Sequence, residues 1–310
     1  MRIFVTGAGG FVGSNLVSVF AERHGAEVLA PDHDTIDVTE PQLLMRAISA
    51  TRPDAIVHAA IWNEPQALLT KRHRAWEAYV HATRNVVDAA NAVDARVVLI
   101  STDWVFDGAR APARESDPPN PVNPYGFLKA ASELVVTERA GRGTVARIAA
   151  VQGIHRGGRR PPRDQDAGFG YLVASLVESL RAGKVFTVWD GDGLNRRATP
   201  TLASDAAELI WRALERDIGG VLHCCGGEHS DRIGLVRRAT DAFELDPDLL
   251  AVGPPPPSVL PNRSPGAGQI PEDTRLDATA TATALGVELP NLDTTLARLR
   301  HELEGAWATA

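Results

Sequence analysis

Two hydrophobic rhythms alternate along the first half of the chain. Short apolar runs at 2–6, 27–30, 55–58, 96–101 and 144–148 have the length and composition of buried strands. Between them, apolar positions recur at three- and four-residue steps, the period of a helix with one buried face. Leu16, Val19 and Phe20 mark such a face in a helix over 10–23, and Leu43, Leu44 and Ile48 mark a second. Thr39 and Gln42 have the spacing of a capping box that opens this second helix, and Arg52-Pro53-Asp54 closes it. Trp76, Val80, Thr83, Val87 and Ala90 define a long helix before the fourth strand. Strand–helix alternation of this kind predicts an α/β fold, a Rossmann-like doubly wound parallel sheet covered on both faces.

The second half is less regular. A helix over 170–181 buries Leu172, Leu176 and Leu180; runs at 185–189 and 220–224 read as strands. Ser204 or Asp205 caps a helix that buries Leu209, Ile210 and Ala213, and Leu292, Leu296, Leu299 and Leu303 mark a closing helix. The division expected is a Rossmann domain over 1–150 and a smaller C-terminal lobe over 151–310 that is mainly substrate-binding. A segment near 204–225 returns to the Rossmann sheet. Glycine, proline and arginine crowd 155–168, and proline, glycine and serine crowd 253–271; both read as loops.

Charge and cysteine content narrow the function classes. The chain has 310 residues and a net charge of −7, which argues against a nucleic-acid or anionic-membrane partner. No apolar stretch is long enough to span a bilayer, and the N-terminal apolar run carries Gly7, Gly9 and Gly10 rather than a cleavage site. The two cysteines, Cys224 and Cys225, are adjacent and read as buried thiols on a strand. The expectation is a cytoplasmic protein in a reducing compartment, with no metal site.

The chemistry-bearing residues fall at the carboxyl ends of the predicted strands. Gly7, Gly10 and Gly13 follow the first strand and open the first helix. A tight turn needs positive φ, and a Cβ would keep a pyrophosphate from the backbone. The helix N-terminus offers free N–H groups to the anion, with Phe11 and Val12 in the same turn. Asp32, at the end of the second strand, can bind the adenosine ribose and repel a 2′-phosphate. His33, when protonated, can instead tolerate that phosphate. Asp37, beside Val38, can meet the adenine edge. Tyr125 and Lys129 lie four apart, on one helical face if Asn123-Pro124 starts a helix. An ammonium beside a phenol favours the phenolate, so the tyrosine can exchange a proton with a carbonyl oxygen as hydride reaches carbon. A hydroxyl in Ser101-Thr102 can bind the same oxygen.

These segments together resemble the extended short-chain dehydrogenase/reductases, most of all the dTDP-4-dehydrorhamnose reductase branch. The resemblance rests on TGAGGFVG, PDHDTIDVT, RPDAIVHAA, STDWVFDG with PVNPYGFLKA, and later ATPT and RLD. It implies Thr102, Tyr125 and Lys129 as the catalytic triad, NAD(P)H as cofactor, and a turn of His58, Ala59 and Ala60 under it, with Ser101 nearby. On the substrate side it points to Trp62, Asp103, Trp104 and Arg197. It implies a small-molecule substrate, a nucleotide-linked 4-keto sugar, and a homodimer paired through helices. The arginines at 156, 159, 160 and 163 are candidates for gripping a substrate diphosphate. Departures concentrate on that side. His81 stands where the family has asparagine, and Ala149-Ala150-Val151-Gln152-Gly153 lacks the usual tryptophan–tyrosine pair. Asp103-Trp104 replaces the Asp-Glu of the dehydratases. Two other functions remain open: an epimerase or dehydratase holding NAD+, and a non-catalytic regulatory subunit of the same fold, as in methionine adenosyltransferase.

Overall fold

The computed structural model describes residues 1–62, 64–157, 164–259 and 269–308. The chain begins with β1 (Arg2–Thr6), α1 (Phe11–Ser18), β2 (Glu27–Leu29), α2 (Pro41–Thr51) and β3 (Ala55–His58). Then come α3 (Pro65–Thr70), α4 (Arg72–Trp76), α5 (Ala82–Asn91), β4 (Arg96–Thr102), α6 (Pro124–Arg139) and β5 (Gly143–Ile148). The order continues with β6 (Val151–Gln152), α7 (Leu172–Arg181), β7 (Phe186–Trp189), β8 (Arg197–Ala198), β9 (Thr201–Leu202) and α8 (Ala203–Glu215). It closes with β10 (Gly220–His223), β11 (Ser230–Asp231), α9 (Arg232–Ala242), β12 (Leu250–Gly253), α10 (Thr279–Leu285) and α11 (Leu292–Ala308).

Six strands form one sheet in the order β10-β5-β4-β3-β1-β2, every pair parallel. The period of two along each strand decides which layer a side chain joins. Ile3, Val5, Val57, Val98 and Ile100 face one core with Leu16 of α1, Phe20 of the π turn that follows it, and Ile210 of α8. Phe4, Ile56, Val97 and Leu99 face the other with Leu44 and Ile48 of α2, Val86 and Val87 of α5, and Val136 of α6. That is the doubly wound α/β arrangement the hydrophobic pattern predicts. A third core unites α7, α9 and α11 with β7, through Leu172, Leu176, Val188, Leu235, Leu296 and Leu299. This smaller lobe carries three two-stranded sheets, β11-β8, β12-β7 and β6-β9.

Local differences from the sequence pattern have physical causes. The capping box does not form. Pro41 is the first residue of α2, Glu40 is the N-cap without a side-chain bond, and Thr39 donates instead to Asp37. Neither Ser204 nor Asp205 caps α8, which starts at Ala203; both bond to α11, Ser204 to Glu302 and Asp205 to Arg298. The helix expected over 76–90 is continuous, α4 passing through a π-helical turn at Glu77–His81 into α5, with α3 a separate short helix before it. The first helix likewise passes into a π turn at Val19–Arg23. Cys224 and Cys225 are buried free thiols, and burial raises the pKa of both.

Candidate active site

A cleft of about 1690 Å3 opens at the carboxyl ends of the parallel strands, between the sheet and the smaller lobe. That exceeds the volume of ordinary small-molecule pockets, and it suits a dinucleotide with a second ligand. One end of the cleft is the glycine turn. Gly7 has φ +70°, and a Cβ there would sit 2.5 Å from the Ala60 nitrogen. A Cβ on Gly13 would run into the Gly7 carbonyl. The two glycines are therefore required for the turn to pack on the start of α1 and on the Ala59–Ala60 backbone. Gly10 is the N-cap of α1 and makes no side-chain cap bond. The first-turn N–H groups are thus left to an anion, which fits the cradle to a pyrophosphate. Gly7, Gly10, Phe11, Val12, Gly13, Asp32, His33, Val38, Ala59 and Ala60 all line the cleft.

The other end is built by β4 and α6. Asn123 caps α6 by accepting a 2.8 Å bond from Gly126 N, and Pro124 fills its first position. Gly126 has no side chain because the Trp104 carbonyl occupies that space. This close approach brings Tyr125 to the end of β4. Thr102, Asp103, Trp104, Tyr125 and Lys129 all line the cleft. The Trp104 and Tyr79 rings stand edge-on to Tyr125, each with centroids 6.2 Å away. Lys129 Nζ donates a 2.8 Å bond to the Ile100 carbonyl and lies 5.7 Å above the Tyr79 ring.

The electrostatics differ from the sequence expectation. The Tyr125 phenol is pushed up to about 12 rather than down, chiefly by burial; the Thr102 hydroxyl opposes and the Asp103 carboxylate adds to it. Burial draws Lys129 down to about 8 against the pull of Glu133. Asp103 is held at about 6, again by burial, against hydrogen bonds from Thr274 and Thr102. The Thr102 hydroxyl donates to Asp103 Oδ1 at 3.0 Å and accepts from Trp104 N at 3.2 Å.

Several expected site residues lie elsewhere. Asp37 does not line the cleft; its carboxylate accepts the Thr39 N–H and hydroxyl, both at 2.8 Å. His58 is buried inside the sheet with Nδ1 2.7 Å from the Thr6 hydroxyl, and burial followed by Lys129 lowers it to about 3. Only the backbone after it reaches the cleft. The Ser101 hydroxyl turns away to Glu133 at 2.5 Å, although the residue lines the cleft. Trp62 is off the cleft wall, with its indole N–H on Glu64 and Arg74 over its ring. Arg197 is also off the wall, its exposed guanidinium 3.9 Å from Asp273. Arg156 does line the cleft, but it bonds Asn15 and Glu302; Arg159, Arg160 and Arg163 lie outside the described residues.

Four cleft or support residues were missed. Tyr171, at φ +58°, lines the cleft and packs its ring 4.8 Å from Phe11, bridging lobe and glycine turn. Asn195 lines the cleft. Glu133 and Arg147 form a buried pair beneath Ser101. Only Glu133, one helical turn beyond Lys129, had a spacing that could have drawn attention. Among the described residues there is no cluster of three or more His, Cys, Asp or Glu placed for a metal, and no helix long and apolar enough to cross a membrane.

Comparison with known proteins matches residues 1–304 to the family model described as RmlD substrate binding domain. A probable dTDP-4,6-dihydroxy-2-methyloxan-3-one 4-ketoreductase of Streptomyces antibioticus is 30% identical over 252 residues, covering 80% of this chain and 79% of that protein. Methionine adenosyltransferase 2 subunit beta of Bos taurus is 26% identical over 250 residues, covering 79% of this chain and 72% of that protein. The solved dTDP-4-dehydrorhamnose reductase of Bacillus anthracis, in complex with NADP, superposes with a TM-score of 0.80. It is 21% identical, covers 97% of this chain and 99% of its own, and speaks for the fold alone.

Proposed function

The chain belongs to the RmlD substrate binding domain family, and on that premise we propose that it is an NAD(P)H-dependent reductase of a nucleotide-linked 4-keto sugar. The observation that carries the reading is the convergence of Thr102, Tyr125 and Lys129 on the cleft that also holds the glycine turn. The turn and the N-terminus of α1 bind the pyrophosphate, and Asp32 and His33 lie at the adenosine end. A bound nicotinamide supplies the hydride.

The chain's own residues handle the proton and the orientation. Tyr125 hydrogen-bonds the keto oxygen and transfers its phenolic proton there as the carbonyl is reduced, and Thr102 donates to the same oxygen once its hydroxyl turns from Asp103. A phenol held at about 12 is fully protonated at neutral pH, the state a reductase needs. Lys129, fixed by Ile100, holds the cofactor ribose and places positive charge beside the phenolate that results. Trp104 and Tyr79 stand edge-on to Tyr125 on two sides and hold its ring in place.

The test is calorimetric titration with NADH and NADPH, followed by turnover of dTDP-linked 4-keto sugars with a Tyr125→Phe control. Micromolar cofactor binding and turnover lost in the variant support the reading. Likeness to methionine adenosyltransferase 2 subunit beta favours a second reading, a binding subunit without its own chemistry. Cofactor binding with no turnover of any ketone selects that reading.

A further inference from the structure

Asn195 stands apart among the residues of the cleft wall. Its side chain is 1% exposed, yet the residue lines the cleft. The backbone fixes it through a 2.8 Å bond from its N–H to the Ala167 carbonyl. Its Nδ2 donates a 2.6 Å bond to the Thr274 hydroxyl. Its Oδ1 is buried and has no hydrogen-bond partner among the described residues. A buried amide oxygen without a donor is a standing cost to the fold, and in a ligand cleft it is relieved by a ligand that brings a donor. Thr274 in turn hydrogen-bonds Asp103, which receives the Thr102 hydroxyl. Asn195 is thus joined to the catalytic end of the cleft through two side chains. The loop ahead of β8 supplies this residue, while Arg197 faces solvent.

We propose that Asn195 reads the substrate: its Oδ1 accepts a hydrogen bond from a ring hydroxyl of the keto sugar, close to the carbon being reduced. The assignment rests on the reductase reading. A fixed, desolvated acceptor rejects an analogue that lacks the donor more strongly than it rewards the correct one, because the oxygen is then left unpaired. The residue therefore sets which ring positions must be hydroxylated.

The probes are dTDP-4-dehydrorhamnose and its 2-deoxy and 3-deoxy counterparts, with NADPH binding measured in parallel. The wild-type protein is expected to prefer the fully hydroxylated ketone over one deoxy counterpart by about tenfold or more in kcat/KM. Asn195→Ala is expected to lose that factor on the hydroxylated ketone and to treat that pair alike, with NADPH affinity retained. Thr274→Val separates contact from relay: it lowers the rate on all the ketones by a common factor and keeps the preference. Equal wild-type efficiency on the three ketones overturns the assignment alone, as does an equal loss on all three in Asn195→Ala. Reduction of none of them, nor of any other nucleotide-linked 4-keto sugar, by protein that binds NADH or NADPH removes the reductase reading and the assignment with it.

Discussion

Arg147 grips Glu133 with two hydrogen bonds, Nε to Oε1 at 3.0 Å and Nη2 to Oε2 at 2.7 Å, where both side chains are almost wholly buried. The pair joins β5 to α6 directly beneath the end of the cleft that β4 and α6 build. Glu133 also receives the Ser101 hydroxyl and sits one helical turn beyond Lys129. Glu133→Ala leaves a buried guanidinium without its partner, and the expected loss is about 3–5 kcal/mol of stability. Denaturant unfolding of the variant checks this. A loss within the range of a surface ion pair would show that the network matters little to the fold.

Tyr125→Phe removes the proton donor while keeping the ring against Trp104 and Tyr79. Turnover is expected to fall by about 10²–10⁴-fold. NAD(P)H affinity should change little, because the glycine turn is untouched. Steady-state kinetics with calorimetry on the same preparation separates the two quantities. Comparable turnover in wild type and variant would remove Tyr125 from the chemistry.

Asp103 gives stability a defined pH dependence. Its folded value lies at about 6, above the ordinary 3.8, because burial penalises the charged carboxylate. The native state therefore holds a proton that the unfolded chain has released, so this contribution is fully present below pH 3.8 and is lost as pH rises through about 6. The size is about 3 kcal/mol from the linkage of a two-unit shift. Asp103→Asn should abolish this slope between pH 4 and 6, and its difference from wild type, followed by denaturant titration, should grow across that window. Parallel curves would show that Asp103 does not titrate there.

Much of the fold was legible in the sequence, and the site was legible where it is local. Each central strand is buried on both faces, so Ile56, Val57, Val97 and Val98 leave an unbroken apolar run. Gly7 and Gly13 are forced by contacts within a few residues and with the next strand end, and Asn123-Pro124 caps α6 as its sequence states. Tertiary partners decided much of the rest. Ser204 and Asp205 turned to α11, because those bonds were available only after folding, whereas Thr39 was taken by a local turn with Asp37 two residues before it. Asn195 depends on Thr274, 79 residues further along, and no periodicity carries such a pairing. Trp62 and Arg197 do not line the cleft; Trp62 bonds the neighbouring Glu64, and the exposed Arg197 lies 3.9 Å from Asp273.

Gly7→Ala tests the cradle without touching the catalytic residues. The new Cβ would lie 2.5–2.7 Å from the Ala59–Ala60 backbone, at a φ of +70° that alanine rarely adopts. The turn must open to admit it, which moves the N-terminus of α1 away from the anion position. Loss of measurable NADH and NADPH binding is expected, together with a lowered melting temperature. Retained affinity would mean that the pyrophosphate is held elsewhere.

Asp32 and His33 make opposite demands on the adenosine ribose, and both line the cleft beyond β2. A carboxylate can accept bonds from the 2′- and 3′-hydroxyls and repels a 2′-phosphate at close range. Its neighbour His33 can donate a ring N–H to such a phosphate. At neutral pH the carboxylate should dominate, which favours NADH. Asp32→Ser removes the repulsion and the ribose acceptor together, so NADH affinity should fall and NADPH affinity rise, a shift of about tenfold or more in their ratio. His33→Gln should weaken NADPH alone, because only the 2′-phosphate would use the imidazole as a donor. Titrating both variants with both cofactors checks the argument. An unchanged NADH:NADPH ratio in Asp32→Ser would place the discriminating group outside this turn.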